Sequence, residues 1–471
     1  MLAYLTMMAN RLIELHRVLK PTGSLYLHCD PTASHYLKIV LDSVFGPACF
    51  RNEITWKRSS AHNDTKQGMR RYGKVRDILF FYAKGPEHTW NQQYSPYTAE
   101  YLRSEYKHVT PDGRYYKETD LTGAKPGGDT SYEWHVKRPV GQGEDWRADI
   151  EDEYREPRPG WEYRAVRPYD RRFWAYSKDN VIDFARSGKL IHRETGMPRL
   201  MHFADEMPGV SLQDLWTDIP PATGGEDLGY PTQKPLALLE RVIGSSSSPG
   251  DIVLDPFCGC GTAVHAAEKL GRGWIGIDIT HLAVSLIERR MKDAFPGIAF
   301  EVHGTPRDHA GARNLAERDK YQFQFWALSL VNAQPYKSGK KGADGGTDGL
   351  IYFQDDKGAA KKIIVSVKGG ESVTRTMIAD LKNTVEREKA AIGLFVTLVP
   401  PTQPMMTEAA TAGFYESPQH GKFQKIQILT IEGLLSGHEQ PRYPDLAQGA
   451  HTFRKAKREG DAGNQGQLFG P

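Results

Sequence analysis

The sequence has few cysteines, no long apolar run and little net charge, and each of these features excludes a class of protein. Its four cysteines, Cys29, Cys49, Cys258 and Cys260, lack the spacing and histidine partners of a zinc site or a disulfide framework. No apolar run approaches the length of a membrane span and no signal peptide opens the chain, so we expect a soluble cytoplasmic protein without a membrane partner. With a net charge of +3, any surface for nucleic acid must be local.

The most informative stretch is residues 251–278. An apolar run ends at Asp255, breaks at Gly259 and Gly261, and restarts with apolar residues at helical spacing, and a second apolar run ends at Asp278. This pattern predicts a strand, a turn, a helix and a second strand. Both aspartates would then lie at the carboxyl ends of two parallel strands, where open α/β sheets bind ligands.

The residues of this turn limit the ligand. Gly259 and Gly261 allow the backbone to approach a ligand closely, and Asp278 is placed to accept hydrogen bonds from a ribose diol. A pyrophosphate site would have a third glycine where Val264 stands, which favours an adenosine ligand without a pyrophosphate. S-adenosylmethionine fits this description, and a purely structural turn is the alternative. We interpret Cys258 as a small residue of the turn and expect no nucleophilic role for it.

Two motifs together carry a family resemblance. Asp-Pro-Phe-Cys-Gly-Cys-Gly-Thr at residues 255–262 and Tyr-Pro-Thr-Gln-Lys-Pro at residues 230–235 resemble the cofactor segment of β-class bacterial DNA amino-methyltransferases, which methylate adenine N6 or cytosine N4. The resemblance implies an α/β, Rossmann-like methyltransferase sheet with an irregular target-recognition insertion, S-adenosylmethionine as cofactor, and double-stranded DNA as partner in a restriction-modification system. The cofactor-binding residues it implies are Gln233, Lys234, Pro235, Asp255, Phe257, Gly259, Gly261, Thr262 and Asp278.

The first 85 residues resemble the catalytic half of that family. A helix at residues 5–19, a strand ending at Asp30 and strands at residues 52–56 and 75–82 match it, but its Asp-Pro-Pro-Tyr/Phe tetrapeptide does not occur. Asp218-Ile-Pro-Pro221 has an inserted isoleucine, and we interpret it as a loop. In the family, the tetrapeptide accepts the hydrogens of the target amine and its strand lies in the middle of the sheet. We therefore expect a truncated chain, a gap in the sheet, and cofactor binding without methyl transfer, with no catalytic residue in this half.

Two regions are candidates for contacting DNA. The basic stretch after residue 56 offers phosphate contacts, although a solvated basic hairpin explains it equally well. Residues 86–221 are irregular and rich in aromatic residues, as the target-recognition region of the family is. We expect its tryptophans, Trp134, Trp146, Trp161 and Trp174, to form a small core and not to insert between bases. The predicted DNA-binding residues are Lys57, Arg58, Lys66, Arg70, Arg71 and Lys74.

The last third of the chain carries a second resemblance. Asp344-Gly-Gly-Thr-Asp348 and Ser366-Val-Lys368 resemble the core of Mrr-type restriction endonucleases, of PD-(D/E)xK fold. The resemblance implies that Asp348 binds Mg²⁺ and that Lys368 assists the attacking water. Ser366 stands where Glu, Asp or Gln is usual, and the following helix offers three candidate replacements, Asp380, Glu386 and Glu388, of which we name Glu386. An active nuclease and a DNA-binding or accessory use of the fold both stay open.

These patterns predict five regions and leave several functions open. The regions are the catalytic half at 1–85, the target-recognition region at 86–221, the cofactor half at 222–303, a nuclease-like domain at 317–440 and a disordered tail at 441–471. Adenine N6 is our preferred methylation target, and cytosine N4 is the alternative. The rival functions are a Mg²⁺-dependent endonuclease with S-adenosylmethionine as effector and a non-catalytic DNA-binding remnant. A homodimer and a restriction-system partner both stay open.

Overall fold

The structure is a computed structural model. It describes residues 1–59, 70, 72–141, 143, 145–150, 157–230, 232–336, 346–355, 359–444, 452–453 and 455–459. The chain divides into two compact units, Met1–Asn91 with Asp214–Pro471, and Gln92–Gln213. The second unit falls within the predicted target-recognition region, and the borders of the five predicted regions stay predictions. None of the described helices combines the length and the apolar character needed to cross a bilayer.

The elements are numbered in chain order. The helices are α1 (Leu2–Val18), α2 (Ser34–Phe45), α3 (Ala99–Glu105), α4 (Lys178–Arg186), α5 (Leu236–Ser246), α6 (Thr262–Lys269), α7 (His281–Ala294), α8 (His309–Arg318), α9 (Lys320–Leu330), α10 (Arg375–Arg387), α11 (Gln403–Thr411) and α12 (Ile431–Ser436). The strands up to the end of the second unit are β1 (Ser24–Cys29), β2 (Phe50–Lys57), β3 (Arg76–Ala83), β4 (Tyr94–Ser95), β5 (His108–Val109), β6 (Tyr115–Asp120), β7 (Thr122–Gly123), β8 (Trp134–Pro139), β9 (Arg147–Ala148), β10 (Trp161–Val166), β11 (Phe173–Trp174), β12 (Leu190–His192), β13 (Pro198–Phe203) and β14 (Val210–Ser211). The later strands are β15 (Leu215–Trp216), β16 (Ile252–Asp255), β17 (Gly273–Gly276), β18 (Gln334–Pro335), β19 (Gly349–Phe353), β20 (Lys361–Lys368), β21 (Ile392–Thr397), β22 (Phe414–Ser417), β23 (Gly421–Gln424) and β24 (Ile426–Thr430).

The amino-terminal sheet has the order β1-β3-β2-β15. Its central strand β3 is buried on both faces. Ile78, Phe80 and Tyr82 pack with α1 and α2, while Leu79 and Phe81 pack towards α5. A strand that is covered on both faces needs apolar residues on both, which explains why residues 78–83 are apolar without interruption.

A second sheet of the first unit consists of β16 and β17, which are parallel and joined by α6. This is the predicted α/β unit of strand, turn, helix and strand. Within the described residues, β1 pairs with β3 alone and β16 pairs with β17 alone. The amino-terminal sheet and this pair are therefore separate sheets in the described part of the chain.

The carboxyl-terminal region of the same unit is built on a five-stranded sheet of order β18-β19-β20-β21-β24. Strands β20, β21 and β24 are parallel, and β19 is antiparallel to β20. Phe323 and Trp326 of α9 cover one face of the sheet, and Ile378 and Leu381 of α10 cover the other. The sheet is therefore buried on both sides, which explains the apolar runs at residues 363–367 and 392–398.

The second unit is an assembly of small antiparallel sheets around an aromatic core. Trp134, Trp146 and Trp174 are at most 3 % exposed and pack with Leu121 and Val136. The expectation that these three tryptophans form a core is confirmed, whereas Trp161 is only half-buried. Indole rings buried in this way are not available to insert between bases.

Part of the predicted disordered tail makes ordered contacts. Thr452 Oγ1 accepts a hydrogen bond from the Tyr352 amide at 2.9 Å, and the Glu459 amide donates to the Ala294 carbonyl oxygen at 2.9 Å. A free tail would not make these contacts. The remaining tail residues, 445–451, 454 and 460–471, lie outside the described part of the chain.

Candidate functional site

The candidate site is built on the turn between β16 and α6. Asp255 Oδ1 accepts a hydrogen bond from the Phe257 amide at 3.1 Å, and the Gly261 amide donates to the Cys258 carbonyl oxygen at 2.7 Å. The chain then enters α6, whose first amides have no acceptor within the helix. The Phe257 and Gly261 amides are thus paired within the turn, and the first amides of α6 are the backbone donors that face the carboxyl end of β16.

The two glycines of the turn are required by its conformation. Gly259 and Gly261 have φ angles of 50° and 74°, in the left-handed region that favours glycine. A Cβ atom on Gly259 would lie 3.2 Å from the ring of Tyr230, and one on Gly261 would lie 2.8 Å from Cγ1 of Ile287. A side chain at either position would therefore be strained and crowded, and the close approach of a ligand to this backbone stays a prediction.

Asp278 joins the turn to the end of the neighbouring strand. One of its carboxylate oxygens accepts from the Gly259 amide at 3.0 Å. The other accepts from the amide and the hydroxyl of Thr280, at 2.9 and 2.8 Å, just before α7. A carboxylate has about four acceptor positions, so lone pairs remain for a ribose diol.

The segment at residues 230–235 lies against the same turn. The Thr262 hydroxyl donates to the Lys234 carbonyl oxygen at 3.3 Å. The Gln233 side chain holds its own loop together, since it accepts from the Leu228 amide at 2.9 Å and donates to the Glu226 carbonyl oxygen at 2.6 Å. Gln233 thus shapes the loop, whereas the Lys234 side chain faces the cavity beside the turn.

A cavity of about 670 Å³ extends from this turn between β1 and β16. This volume lies within the range of small-molecule sites. Its walls include apolar residues of α1 and α5, among them Met8, Leu12, Leu238 and Val242, and residues of β1 and β16. The predicted cofactor residues that line it are Gln233, Lys234, Asp255, Phe257, Gly259 and Thr262. Gly261, Asp278 and Pro235 lie in the adjoining turn, strand end and helix cap.

A polar cluster that sequence reasoning missed lies at the carboxyl end of β1. His28 Nε2 and Asp77 Oδ2 are 3.0 Å apart, and Arg58 Nε is 3.8 Å from the other carboxylate oxygen. Burial lowers the pKa of Lys234, and the charge of Asp77 opposes that shift. The only signal in the sequence was a histidine next to the end of an apolar run. The cluster places charged groups of both signs at the opening of the cavity.

Burial also shifts the pKa values of two side chains in the turn, Asp255 and Cys258. It raises the pKa of Asp255, and the nearby charge of Asp278 raises it further. Burial raises the pKa of Cys258 to about 12. A thiol with that pKa is protonated at neutral pH and is a poor nucleophile, in agreement with our interpretation of Cys258 as a small residue of the turn.

The predicted DNA-binding residues are only partly described. Lys57 and Arg70 are exposed, while Lys66 and Arg71 lie outside the described residues. Lys74 Nζ donates to Thr32 Oγ1 at 2.8 Å, which ties it to the loop after β1. Arg58 is already in the cluster with Asp77, so Lys57 and Arg70 are the described members with the most open surroundings.

The Asp348 carboxylate, the predicted metal ligand, has hydrogen-bond donors within the protein. Asp348 accepts from Gln324 Nε2 at 2.8 Å and from the Val367 amide at 2.7 Å, and Lys368 Nζ lies 4.0 Å away. Ser366 is buried, and Glu386 is exposed on α10. No cluster of three or more histidine, cysteine or acidic residues capable of holding a metal is found among the residues that the structure describes. Both oxygens of Asp348 thus have structural partners.

Comparison with protein families gives two matches. A family model described as DNA methylase, of N6/N4 type, matches residues 1–289. A model described as NACHT-associated inactive restriction endonuclease matches residues 322–436. The second match agrees only loosely with the expected Mrr-type endonuclease, because the matched family is described as inactive.

Several curated proteins are similar to part of the chain. The Type II methyltransferase M.EcaI of Enterobacter cloacae is 30 % identical over 291 residues, which cover 61 % of this chain and 57 % of that protein. The StyLTI Mod subunit, a Type III restriction-modification enzyme of Salmonella typhimurium, is 24 % identical over 57 % of this chain and 38 % of its own length. The matches thus span little more than half of M.EcaI and less than half of the Mod subunit.

Solved structures also resemble the chain. The M1.HpyAVI–SAM complex is 17 % identical, covers 60 % of this chain and 81 % of its own, and has a TM-score of 0.29. The PvuII DNA methyltransferase, described as cytosine-N4-specific, is 12 % identical, covers 63 % and 72 %, and has a TM-score of 0.32. At TM-scores this low, the likenesses add nothing to the fold seen directly in the strands and helices.

Proposed function

Because the chain belongs to the N6/N4 family of DNA methylases, whose model matches residues 1–289, we propose that it transfers a methyl group from S-adenosylmethionine to an exocyclic amine of a base in DNA. The observation that carries this proposal is the glycine turn bound to Asp278 at 3.0 Å and open to a cavity of about 670 Å³. The first amides of α6 offer backbone donors and Asp278 offers acceptors, which is what an adenosyl group requires.

Each described residue of the turn has a distinct role in holding the cofactor. Asp278 accepts from the ribose hydroxyls while it keeps the Gly259 amide in place. Gly259 leaves room beside the ring of Tyr230. Gln233 fixes the loop that carries Lys234 to the edge of the cavity. When bound, S-adenosylmethionine supplies the methyl group on its sulfonium, and direct attack by the base amine requires no cysteine nucleophile.

The proposed target is adenine N6 in double-stranded DNA, with cytosine N4 as the alternative. The names of two similar proteins, a Type II methyltransferase and a Type III Mod subunit, support a role in restriction-modification with DNA as substrate. The exposed side chains of Lys57 and Arg70 are suited to phosphate contacts at such a substrate.

The group that would accept the hydrogens of the amine is not evident in the chain. Asp-Pro-Pro-Tyr and Asp-Pro-Pro-Phe do not occur in the 471 residues, and β1 and β16 do not pair with each other in the described structure. We therefore propose that this polypeptide by itself binds S-adenosylmethionine but does not methylate DNA.

The test combines binding and turnover. Isothermal titration with S-adenosylmethionine is expected to show binding, and unmethylated DNA with labelled cofactor is expected to gain no label. A version with a strand ending in Asp-Pro-Pro-Tyr joined before Met1 is expected to methylate, and mass spectrometry of the digested nucleosides distinguishes adenine N6 from cytosine N4. Absence of cofactor binding by both proteins contradicts the proposed function. Methylation by the unmodified polypeptide contradicts only the proposal of inactivity.

For the carboxyl-terminal sheet we propose an accessory role without DNA cleavage. Its support is Asp348, whose oxygens accept from Gln324 and the Val367 amide and so join α9 to β20. Asp348→Ala leaves these donors without their acceptor, and we expect it to lower the free energy of unfolding by about 1–3 kcal/mol. Denaturant unfolding measures this loss.

The matched control is the exposed Glu386 on α10. Glu386→Ala is expected to change the free energy of unfolding by less than about 0.5 kcal/mol. With Mg²⁺ and plasmid DNA, the unmodified protein and both variants are expected to show no cleavage. Mg²⁺-dependent cutting that disappears in Asp348→Ala would instead establish an endonuclease.

A further inference from the structure

A buried chain of polar side chains runs beneath the cofactor turn. It begins at Arg290 of α7, which is only 3 % exposed. Arg290 Nη1 donates to the Cys260 carbonyl oxygen at 3.2 Å and to Thr262 Oγ1 at 3.1 Å. A guanidinium is costly to bury unless it is fully hydrogen-bonded. Here its donors are directed at the last residues of the turn and the first residue of α6.

His265 continues the chain from Arg290. The Arg290 Nε–H donates to His265 Nδ1 at 3.1 Å. Nδ1 is therefore the acceptor and Nε2 carries the ring proton, which it donates to Glu459 Oε1 at 2.9 Å. Burial lowers the pKa of His265, the charge of Arg290 lowers it further, and Glu459 opposes the shift. A neutral imidazole with this tautomer satisfies both neighbours at once.

Glu459 anchors the far end and belongs to a distant part of the sequence, 194 residues after His265. Its amide donates to the Ala294 carbonyl oxygen at 2.9 Å, and Lys269 Nζ lies 3.4 Å from its carboxylate. Burial acts to raise the pKa of Glu459, but the hydrogen bond from His265 and the charge of Lys269 give a net lowering. The carboxylate is thus held ionised against α6.

The chain also reaches the other side of the cofactor turn. The Thr262 hydroxyl accepts from Arg290 and donates to the Lys234 carbonyl oxygen at 3.3 Å. A continuous path of hydrogen bonds therefore runs from Glu459 through His265 and Arg290 to the turn and to the segment at residues 230–235. Arg290 and His265 are buried, and only the terminal carboxylate of Glu459 is partly exposed, at 26 %.

We propose that Arg290 is a positioning residue for the cofactor turn and that Glu459, through His265, holds Arg290 in place. Docking of residues 455–459 then sets the affinity for the adenosyl cofactor. The inference rests on the proposed function, because it concerns the same turn. Its physical basis is that Cys260 and Thr262 keep their places only while the donors of Arg290 are correctly oriented, and His265 alone cannot orient them without an acceptor at Nε2.

The experiment measures S-adenosylmethionine affinity by isothermal titration in the full chain. Glu459→Ala and Arg290→Lys are each expected to weaken binding about 10-fold, the equivalent of one lost hydrogen bond to a charged group. Glu459→Gln keeps an acceptor for His265 Nε2 and is expected to recover most of the affinity lost in Glu459→Ala. The double variant Glu459→Ala with His265→Leu is expected to bind no more weakly than His265→Leu alone, because the two residues act in series.

The matched control is Glu288→Ala, which removes a comparably exposed glutamate that pairs with Lys292 at 3.4 Å on α7. It is expected to leave the affinity within about twofold, since a surface pair of this kind contributes little. Thermal unfolding of every variant separates loss of positioning from loss of fold. If Arg290→Lys does not fold, the variants of Glu459, on the tail, still decide the question.

The outcomes separate this inference from the proposed function. Unchanged affinity in Glu459→Ala and Arg290→Lys overturns the inference and leaves the function standing. Lower melting temperatures with unchanged affinity also overturn it, because they show a structural role only. If the unmodified protein and the version joined to the Asp-Pro-Pro-Tyr strand both fail to bind S-adenosylmethionine, the proposed function and the inference fall together.

Discussion

Asp278→Ala is expected to weaken S-adenosylmethionine binding at least about 100-fold. The carboxylate holds the Gly259 amide at 3.0 Å and the Thr280 amide at 2.9 Å, and in our proposal it also accepts from the ribose. Each hydrogen bond to a charged group contributes about 1.5–3 kcal/mol, and every 1.4 kcal/mol corresponds to about tenfold in affinity. Loss of the ribose contact and of the anchored turn therefore removes at least two such interactions. Isothermal titration measures the change.

The control for Asp278 is another half-buried aspartate whose carboxylate accepts from backbone amides at the start of a helix. Asp319 accepts from the amides of Tyr321 and Gln322, at 3.0 and 3.1 Å, at the start of α9. Asp319→Ala removes a helix cap and is expected to cost about 1 kcal/mol of stability without changing cofactor affinity. If the affinity for S-adenosylmethionine falls equally in both variants, Asp278 affects binding only through the stability of the fold. If neither loses it, the site is misassigned.

Gly261→Ala is expected to reduce cofactor affinity by about 30-fold or more. The residue has a φ of 74°, and a new Cβ would lie 2.8 Å from Cγ1 of Ile287. The left-handed conformation costs an alanine about 1–2 kcal/mol, and overpacking of a core costs about 1–3 kcal/mol more. Because Ile287 is packed with Val264 and Met291, the turn has to move instead. Denaturant unfolding and cofactor titration measure the two consequences.

Gly271 provides the matched comparison for Gly261. It has a φ of 71°, but no atom lies within 4 Å of the Cβ that alanine would add. Gly271→Ala is thus expected to lose the same 1–2 kcal/mol of backbone stability while its cofactor affinity stays within about twofold. Equal affinity losses in the two variants would show that backbone strain alone matters. The contact with Ile287 would then have no special role.

Features that depend on neighbours in the sequence could be predicted without the structure. The runs before Asp255 and Asp278 are strands, and the residues between Gly261 and Gly271 form a helix, as predicted. These elements could be predicted because the spacing of apolar residues and the positions of glycines are visible in consecutive residues. The candidate cofactor turn could be found for the same reason. The apolar run at residues 75–82 likewise predicted a strand, which the structure places at Arg76–Ala83, but its central position in the sheet was not predicted.

Features that depend on distant partners were missed. Nothing near His265 in the sequence indicates that its acceptor is Glu459, which lay in a segment predicted to be disordered. The motif at Asp348 and Lys368 predicts a metal site, which stays a prediction, but it gave no sign that Gln324 and the Val367 amide donate to the Asp348 carboxylate. The partner of Asp218, which we interpreted as part of a loop, is Arg241 at 3.0 Å, on α5. Each of these pairs joins elements that only folding brings together.

The sequence by itself determined the local units of this protein, namely the strand, turn and helix around Asp255, the apolar strands and the family to which the motifs point. The periodicity of apolar residues and the backbone preferences of glycine act between neighbouring residues, so the elements that depend on them can be predicted from the sequence. Only the tertiary structure showed that β1 and β16 do not pair with each other among the described residues, that Asp348 accepts from the Val367 amide, and that Glu459 is joined by hydrogen bonds through His265 and Arg290 to the turn. These outcomes depend on which polar groups are buried together, and burial is a property of the folded chain.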